Sequence, residues 1–175
     1  MRILIILLFI SFSSFGQTYE DIMSIKDVES FKKVCIENNY EYMSAQMLIE
    51  LGKEQGEELN EDTVIKSMKD VTMYIKENGS MRGIYYTGAA LDMFGENDDS
   101  FSFQIVRKNL LGFEIDNLYD NLLKDVKDNC EYYKIYTSPN GYEYASYSCA
   151  ESLYKGKIGF RIVGNEGIIW TLPNY

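Results

Sequence analysis

The sequence has 175 residues with 27 acidic and 17 basic side chains, which gives a formal net charge of −10 at pH 7. A chain this acidic lacks the basic footprint with which proteins hold phosphate groups, so we expect no nucleic acid partner. The sequence also contains no histidine, which excludes Ser-His-Asp and Cys-His nucleophile pairs and removes the commonest metal ligand. We therefore expect no catalytic residues of these kinds, no metal and no cofactor.

The first stretch, Met1 to Gly16, is typical of a secretory signal peptide. Arg2 precedes an uninterrupted apolar run over residues 3–10, and small polar residues then lead to a plausible cleavage site before Gln17. The run is too short for a membrane-spanning helix of about 20 residues. We expect export to the periplasm or the extracellular space, no membrane span, and one domain over residues 17–175.

The next residues predict one helix and one ambiguous segment. The helix runs from about Ile25 to Asn38, and Ser24 and Asp27 resemble the two partners of a capping box at its start. Residues 43–51 alternate apolar and polar side chains, which favours a strand, although Met, Ala, Leu and Glu in the same segment favour a helix. Of the two, we predict the strand.

Residues 64–87 allow two interpretations. An amphipathic helix over residues 64–75 would end at Asn78-Gly79, or the same Asn-Gly pair would turn a hairpin between residues 71–76 and 81–87. The apolar period does not decide between them.

A further hairpin is predicted between residues 83–94 and 100–106. Its second strand alternates, so Phe101, Phe103 and Ile105 should face the core. The acidic turn that joins the strands offers oxygen ligands to Ca²⁺, but it lacks the ligand spacing of an EF-hand loop, and we interpret it as a solvated turn.

An amphipathic helix then runs from Ile115 to Cys130, with Asp116 as its expected N-cap. The last hairpin joins residues 157–163 to residues 168–172. With Val163 opposite Ile168, Arg161 would lie opposite Trp170 and within reach of a cation–π contact. On the other face of this hairpin, the better core candidates are Ile158, Phe160, Ile162 and Ile169.

Between these elements lies a hairpin, residues 131–137 and 142–149, turned by Ser138-Pro139-Asn140-Gly141. If Thr137 pairs with Tyr142, Cys130 lies directly opposite Cys149, within disulfide reach for a non-hydrogen-bonded pair. We expect this bridge, with free thiols as the alternative. Cys35 is then left over as a core residue.

The same hairpin concentrates the tyrosines of the chain. In this register Tyr133, Tyr142 and Tyr144 share one face, and the other face carries Tyr132, Tyr136 and Tyr147. One face should pack on the helix, and the other would present an aromatic strip of the kind that binds glycans or proteins. Tyrosines also suit any half-buried strand, which is the alternative. Our candidate binding residues are Tyr133, Tyr142, Tyr144, Arg161 and Trp170.

Several stretches resemble a family of small, uncharacterised exported proteins of Flavobacterium-like Bacteroidetes. These stretches are the leader ending at Gln17, residues 31–38, residues 101–104 and above all residues 147–160. The resemblance implies export and a fold shared with that family. It transfers no activity and no functional residue.

We predict an α+β fold with a mainly antiparallel sheet that two or three helices cover on one face. Residues 39–42 are echoed at 129–132, each after a helix, which suggests two helix-then-sheet halves. The favoured function is a non-catalytic binding module for a protein or glycan. The alternatives are a histidine-free hydrolase with paired carboxylates and a structural envelope or stress protein.

Overall fold

The structure is a computed structural model that describes residues 17–54, 56, 59–76, 80–87, 99–108 and 117–172. The predicted signal peptide, the Asn78-Gly79 turn, most of the acidic turn at 95–99, and Ile115 and Asp116 lie outside the described residues.

The described residues form one antiparallel sheet of eight strands. The strands are β1 (Glu41–Met43), β2 (Val71–Lys76), β3 (Met81–Tyr86), β4 (Ser100–Val106), β5 (Glu131–Thr137), β6 (Glu143–Ser148), β7 (Lys157–Val163) and β8 (Glu166–Leu172). Their order across the sheet is β1-β2-β3-β4-β8-β7-β6-β5, so β8, the last of the described strands, lies at the centre beside β4.

Five α-helices accompany this sheet in the described part of the chain. They are α1 (Tyr19–Ser24), α2 (Val28–Glu37), α3 (Ala45–Glu54), α4 (Glu61–Ser67) and α5 (Leu118–Asn129), and a 3₁₀ turn covers Met68–Asp70. None of these helices is long and apolar enough to cross a membrane.

Three helices, α1, α2 and α5, cover one face of the sheet, which confirms the predicted α+β architecture. Phe31 of α2 lies against the rings of Phe101 and Phe103 on β4, with ring centroids 6.2 and 5.5 Å away. From α5, the apolar stripe of Tyr119, Leu122 and Val126 is buried in the same cluster, as predicted. Because side chains alternate along a strand, every second residue of each central strand enters this core.

The predicted helix over residues 25–38 is present as α2, and a separate helix that was not predicted, α1, precedes it. The predicted capping box is wrong. Thr18 caps α1, and Ser24, its last residue, donates to the Asp21 carbonyl at 2.7 Å instead of capping a helix. The N-cap of α2 is Asp27, whose side chain accepts from the backbone N–H of Ser30. At the other predicted cap, Asn117 takes the N-cap position of α5 in place of Asp116.

The predicted strand over residues 43–51 is wrong, because the chain forms α3 from Ala45. Of these residues only Met43 belongs to a strand, as the last residue of β1. At the start of α3 the backbone N–H of Met47 donates to the Ser44 hydroxyl at 3.2 Å. Helical period buries Ile49 and leaves Met47 and Leu51 exposed, whereas a strand would bury all three. Helix propensity therefore outweighed the alternation of apolar residues.

Both interpretations of residues 64–87 hold in part. Helix α4 ends at Ser67, and β2 then pairs with β3 from Val71↔Tyr86 to Lys76↔Met81. The next predicted hairpin is also present, since β3 pairs with β4 from Met81↔Ile105 to Tyr86↔Ser100, although its first strand ends at Tyr86.

The two halves of the chain have a similar order of elements. In each half a helix, α2 or α5, precedes four antiparallel strands, and in the first half α3 and α4 are inserted between β1 and β2. The fourth strands, β4 and β8, pair at the centre of the sheet. The short echo between residues 39–42 and 129–132 lies at the same place in both halves, where the helix leads into the first strand.

Candidate binding face

The candidate residues lie on the sheet face opposite α1, α2 and α5, on strands β5 to β8. We call this surface the tyrosine face and define it by Tyr133, Tyr142, Tyr144, Arg161 and Trp170. On this side of the sheet Tyr136 pairs with Tyr144, and Arg161 pairs with Ile168. Tyr144 and Trp170 belong to a small apolar cluster on the same side, in which Tyr136, Tyr144 and Leu172 are buried and Ile168 and Trp170 are partly buried. The structure thus brings the five predicted residues to one side of the sheet.

The register of the β5–β6 hairpin changes once along its length. Near the turn Thr137 pairs with Glu143, one residue away from the predicted Tyr142 partner. The reason is a three-residue loop in which Gly141 has φ 77° and the Ser138 N–H donates to the Tyr142 carbonyl at 2.8 Å. Tyr136 consequently faces Tyr144 on the tyrosine face, and its predicted place beside Tyr132 and Tyr147 is wrong.

A β-bulge at Tyr133 restores the predicted register towards the cysteines. Beyond it Tyr132 pairs with Tyr147, and Cys130 is bonded to Cys149 with a Cα–Cα separation of 4.5 Å. The predicted disulfide is therefore confirmed, and Cys35 is left as a buried free thiol. Burial raises the pKa of the Cys35 thiol, which suits a core residue rather than a nucleophile.

Arg161 occupies the centre of the tyrosine face but does not pair with Trp170 as predicted. The β7–β8 turn has only two residues, with Gly164 at φ 56°, so Val163 pairs with Glu166 and Gly159 lies opposite Trp170. The guanidinium carbon of Arg161 instead lies 3.9 Å from the ring centroid of Tyr142. Of the core residues predicted for this hairpin, Ile158, Phe160 and Ile169 are buried, but Ile162 near the turn is half exposed.

Tyr144 supports Arg161 from below. Its ring centroid is 5.8 Å from the guanidinium carbon, and the side chain is only 2 % exposed. Burial raises the pKa of the Tyr144 hydroxyl, while its hydrogen bond with Arg161 acts in the opposite direction. Tyr144 therefore positions the cation and presents almost no surface of its own.

Trp170 is stacked on a residue that the sequence does not single out. The ring of Tyr86 on β3 lies 5.7 Å from that of Trp170 with an interplanar angle of 4°, and Tyr144 meets the indole edge-on at 6.4 Å. The contact depends on the pairing of β4 with both β3 and β8. No local pattern indicates pairing between strands so far apart in the chain.

Two lysines surround Tyr133. The ammonium of Lys157 lies 4.3 Å from the Tyr133 ring centroid, and that of Lys134 lies 5.2 Å away. Lys157 is buried, whereas Lys134 and Tyr133 are exposed. Because the bulge places Lys134 opposite Ser146, this lysine shares the face with Arg161. Charged and aromatic residues do not alternate in β5, so the sequence gives no signal for this lysine.

A groove with a volume of about 600 Å³ lies on the other side of the sheet, between α5 and strands β5 to β7. Its apolar lining includes Leu123, Ile135 and Phe160, and it reaches Tyr142 and Arg161 at the hairpin turn. Glu143 is the single carboxylate among the described residues that line it, so this groove supplies no carboxylate pair for hydrolysis. Elsewhere in the described ranges no three acidic or cysteine side chains are grouped to hold a metal ion.

Comparisons of the chain with protein-family models, with curated proteins and with solved structures found no match.

Proposed function

We propose that this protein is a non-catalytic binding module that uses the tyrosine face to hold a glycan or a partner protein. The observation that carries the proposal is the placement of Arg161. This cation is stacked on the half-exposed ring of Tyr142, between aromatic side chains, and forms no ion pair within the described residues. Exposed aromatic rings next to a cation are a common feature of recognition surfaces.

We also propose that the chain is exported and that its leader is removed before Gln17. Two features support this proposal. Disulfides such as Cys130–Cys149 persist mainly in oxidising compartments. Gln17, the first residue after the expected cleavage site, is buried and accepts a hydrogen bond from the Tyr40 hydroxyl at 3.1 Å, so the packed domain includes it.

The test uses the single tryptophan of the chain. Because Trp170 lies on the tyrosine face and is the only tryptophan, the whole tryptophan emission reports on that surface. We expect a saturable change in emission when the purified protein is titrated with one member of a panel of oligosaccharides and extracellular proteins. Absence of binding across the panel, also by calorimetry, would argue against the proposal.

Tyr142 and Tyr42 form a matched pair of variants for this titration. Both are exposed tyrosines, but Tyr42 lies on β1 and packs edge-on against Tyr74 of the helix-covered face, with ring centroids 5.6 Å apart. Tyr142→Ala should weaken binding at least several-fold, since it removes the ring that holds Arg161, and Tyr42→Ala should leave binding unchanged. Equal effects of both variants would place the ligand elsewhere.

A further inference from the structure

We infer that the ligand of the tyrosine face is an acidic oligosaccharide with carboxylate groups on its sugar rings. The inference rests on the proposed function of that face and adds the chemical class of the ligand. Its starting point is the pairing of charges in the described part of the chain.

Two cations of the tyrosine face have no acidic partner. Acidic side chains outnumber basic ones by 27 to 17, and Arg82, on the same side of the sheet, is paired with Glu166 at 3.7 Å. Within the described ranges Arg161 and Lys134 contact tyrosine rings but no carboxylate. A pair of cations without carboxylates, in a protein with a large excess of them, is complementary to an anionic ligand.

The geometry of Arg161 suits a carboxylate in particular. Its guanidinium lies 3.9 Å from the ring centroid of Tyr142 and also contacts Tyr144, which restrains the cation between two rings. Stacking on the rings fixes the plane of the guanidinium. Its N–H groups lie in that plane, and two of them can bind the two oxygens of a carboxylate. The low exposure of Tyr144 means that the restraint exists before any ligand arrives.

The surroundings of these cations favour a sugar over a peptide. Strands β6 and β7 are paired on both sides, so their backbone groups are used within the sheet. The edge strand β5, which carries Tyr133 and Lys134, can add a peptide strand, but that strand would lie beyond the edge of the sheet and away from Arg161 on β7. What the face exposes is the rings of Tyr133 and Tyr142, each 47 % exposed. Flat aromatic surfaces stack on the apolar faces of sugar rings, and the neighbouring cations would hold the carboxylates.

The separation of the two cations sets the size of the ligand. Lys134 on β5 pairs with Ser146 on β6, which in turn pairs with Gly159 on β7. Arg161 lies two residues further along β7 than Gly159. Standard sheet spacings put the two positions roughly 12 Å apart. A single sugar is too short to reach both, so an oligosaccharide should bind much more tightly than its monomer.

The experiment compares three tetramers on the full exported domain: tetragalacturonate, the neutral cellotetraose and tetraglutamate. Binding is followed by Trp170 emission and by calorimetry at low and at moderate ionic strength. We expect tetragalacturonate to bind most tightly, to bind more weakly as salt increases, and to exceed galacturonate monomer by at least tenfold.

Variants of the two cations assign the site. Arg161→Gln should weaken tetragalacturonate binding about tenfold or more, because a charge-assisted bidentate contact is lost. Arg161→Lys should have an intermediate effect, and Lys134→Gln should weaken binding a few-fold. Lys33→Gln is the control, because Lys33 is an exposed lysine on α2, paired with Glu37 at 3.8 Å. Circular dichroism verifies that each variant is folded.

The outcomes separate this inference from the function on which it rests. Cellotetraose binding as tightly as tetragalacturonate would overturn the acidic class but keep the binding face. Preferential binding of tetraglutamate would overturn the sugar and assign an acidic peptide instead. No binding of any tetramer would overturn the inference, and the panel with Tyr142→Ala would then decide the proposed function separately.

Discussion

The ring of Tyr119 packs directly on the backbone of Gly167, so that no side chain fits between helix α5 and the first residues of strand β8. A Cβ atom at Gly167 would collide with Cγ, Cδ2 and Cε2 of that ring. The Tyr119 hydroxyl also donates to the Arg161 carbonyl at 3.1 Å. This contact therefore joins α5 to the two strands that carry Arg161 and Trp170.

Gly167→Ala should destabilise the protein by about 1–3 kcal/mol, because overpacking in a dense core displaces the ring or the helix. Urea unfolding measures the loss. The double variant Gly167→Ala/Tyr119→Leu provides the control, since a smaller side chain at position 119 leaves room for the methyl group. If the two substitutions simply add, the collision with Tyr119 is not the cause.

The disulfide should contribute about 3 kcal/mol to the free energy of unfolding, mainly by restricting the unfolded chain. We expect the double variant Cys130→Ala/Cys149→Ala to lose that amount in urea unfolding, and reduced wild-type protein to behave alike. A thiol count after denaturation should find one thiol, at Cys35. Three thiols, or unchanged stability without the bridge, would contradict the prediction.

Removal of Tyr133 should leave the disulfide in place. Because Tyr133 is the extra residue of the bulge, its deletion converts the β5–β6 ladder to a regular one, with Tyr132 still opposite Tyr147. The cost should be about 1 kcal/mol, from the lost cation–π contacts with Lys134 and Lys157.

Deletion of Ile135 is the matched control for that variant. Ile135 lies in the regular part of the ladder, opposite Ala145. Loss of the bulge can absorb this deletion and keep Cys130 opposite Cys149, but Lys134 then takes the place of Ile135 on the helix-covered face. This variant should keep the disulfide in mass mapping without reduction but should have a lower melting temperature than the Tyr133 deletion. Equal behaviour of the two deletions would disprove the assignment of the bulge.

Stability should fall at alkaline pH because of the buried tyrosines. Burial raises the pKa of Tyr85 and of Tyr119 well above the ordinary value of 10.0, and a hydrogen bond to Asp99 adds to the effect at Tyr85. Above pH 10 the unfolded tyrosines lose protons that the folded ones keep, so the unfolded state binds fewer protons and stability decreases. Below about pH 9 these groups should add no pH dependence.

Tyr119→Phe tests this linkage. Urea unfolding between pH 8 and pH 11 should show a shallower decline for the variant, by up to about 1.4 kcal/mol per pH unit above pH 10. Absorbance at 295 nm should show that the buried tyrosines lose their protons only when the protein unfolds. An identical slope in the variant and the wild type would exclude Tyr119 as a contributor.

Local patterns were sufficient for much of the fold. The apolar stripe of α5, the alternation of Phe101, Phe103 and Ile105, and the spacing of Cys130 and Cys149 each depend on neighbours within one helix or hairpin. These features were predicted correctly because helical or strand period decides them directly. The five candidate binding residues also share a face, although Arg161 contacts Tyr142 and Tyr144 there and not Trp170.

Turn length and long-range pairing account for what was missed. Because the turn at Gly164 has only two residues, Arg161 pairs with Ile168 instead of Trp170, and its side chain lies beside Tyr142 and Tyr144. Tyr86 escaped notice because only the contact between the two halves of the sheet brings it to Trp170. For residues 45–54 two local signals conflicted, and helix propensity prevailed over the alternation.

The central position of β8 also affects how the protein can be made. This strand is formed by Glu166–Leu172, near the end of the sequence, and it joins β4 to β7. Until it is synthesised, each half has an open strand edge and the sheet remains in two parts. The sheet becomes continuous only after residues 166–172 have been translated. The pairing of β4 with β8 joins strands far apart in the sequence, and such non-local pairing places a slow folding step after β8 becomes available.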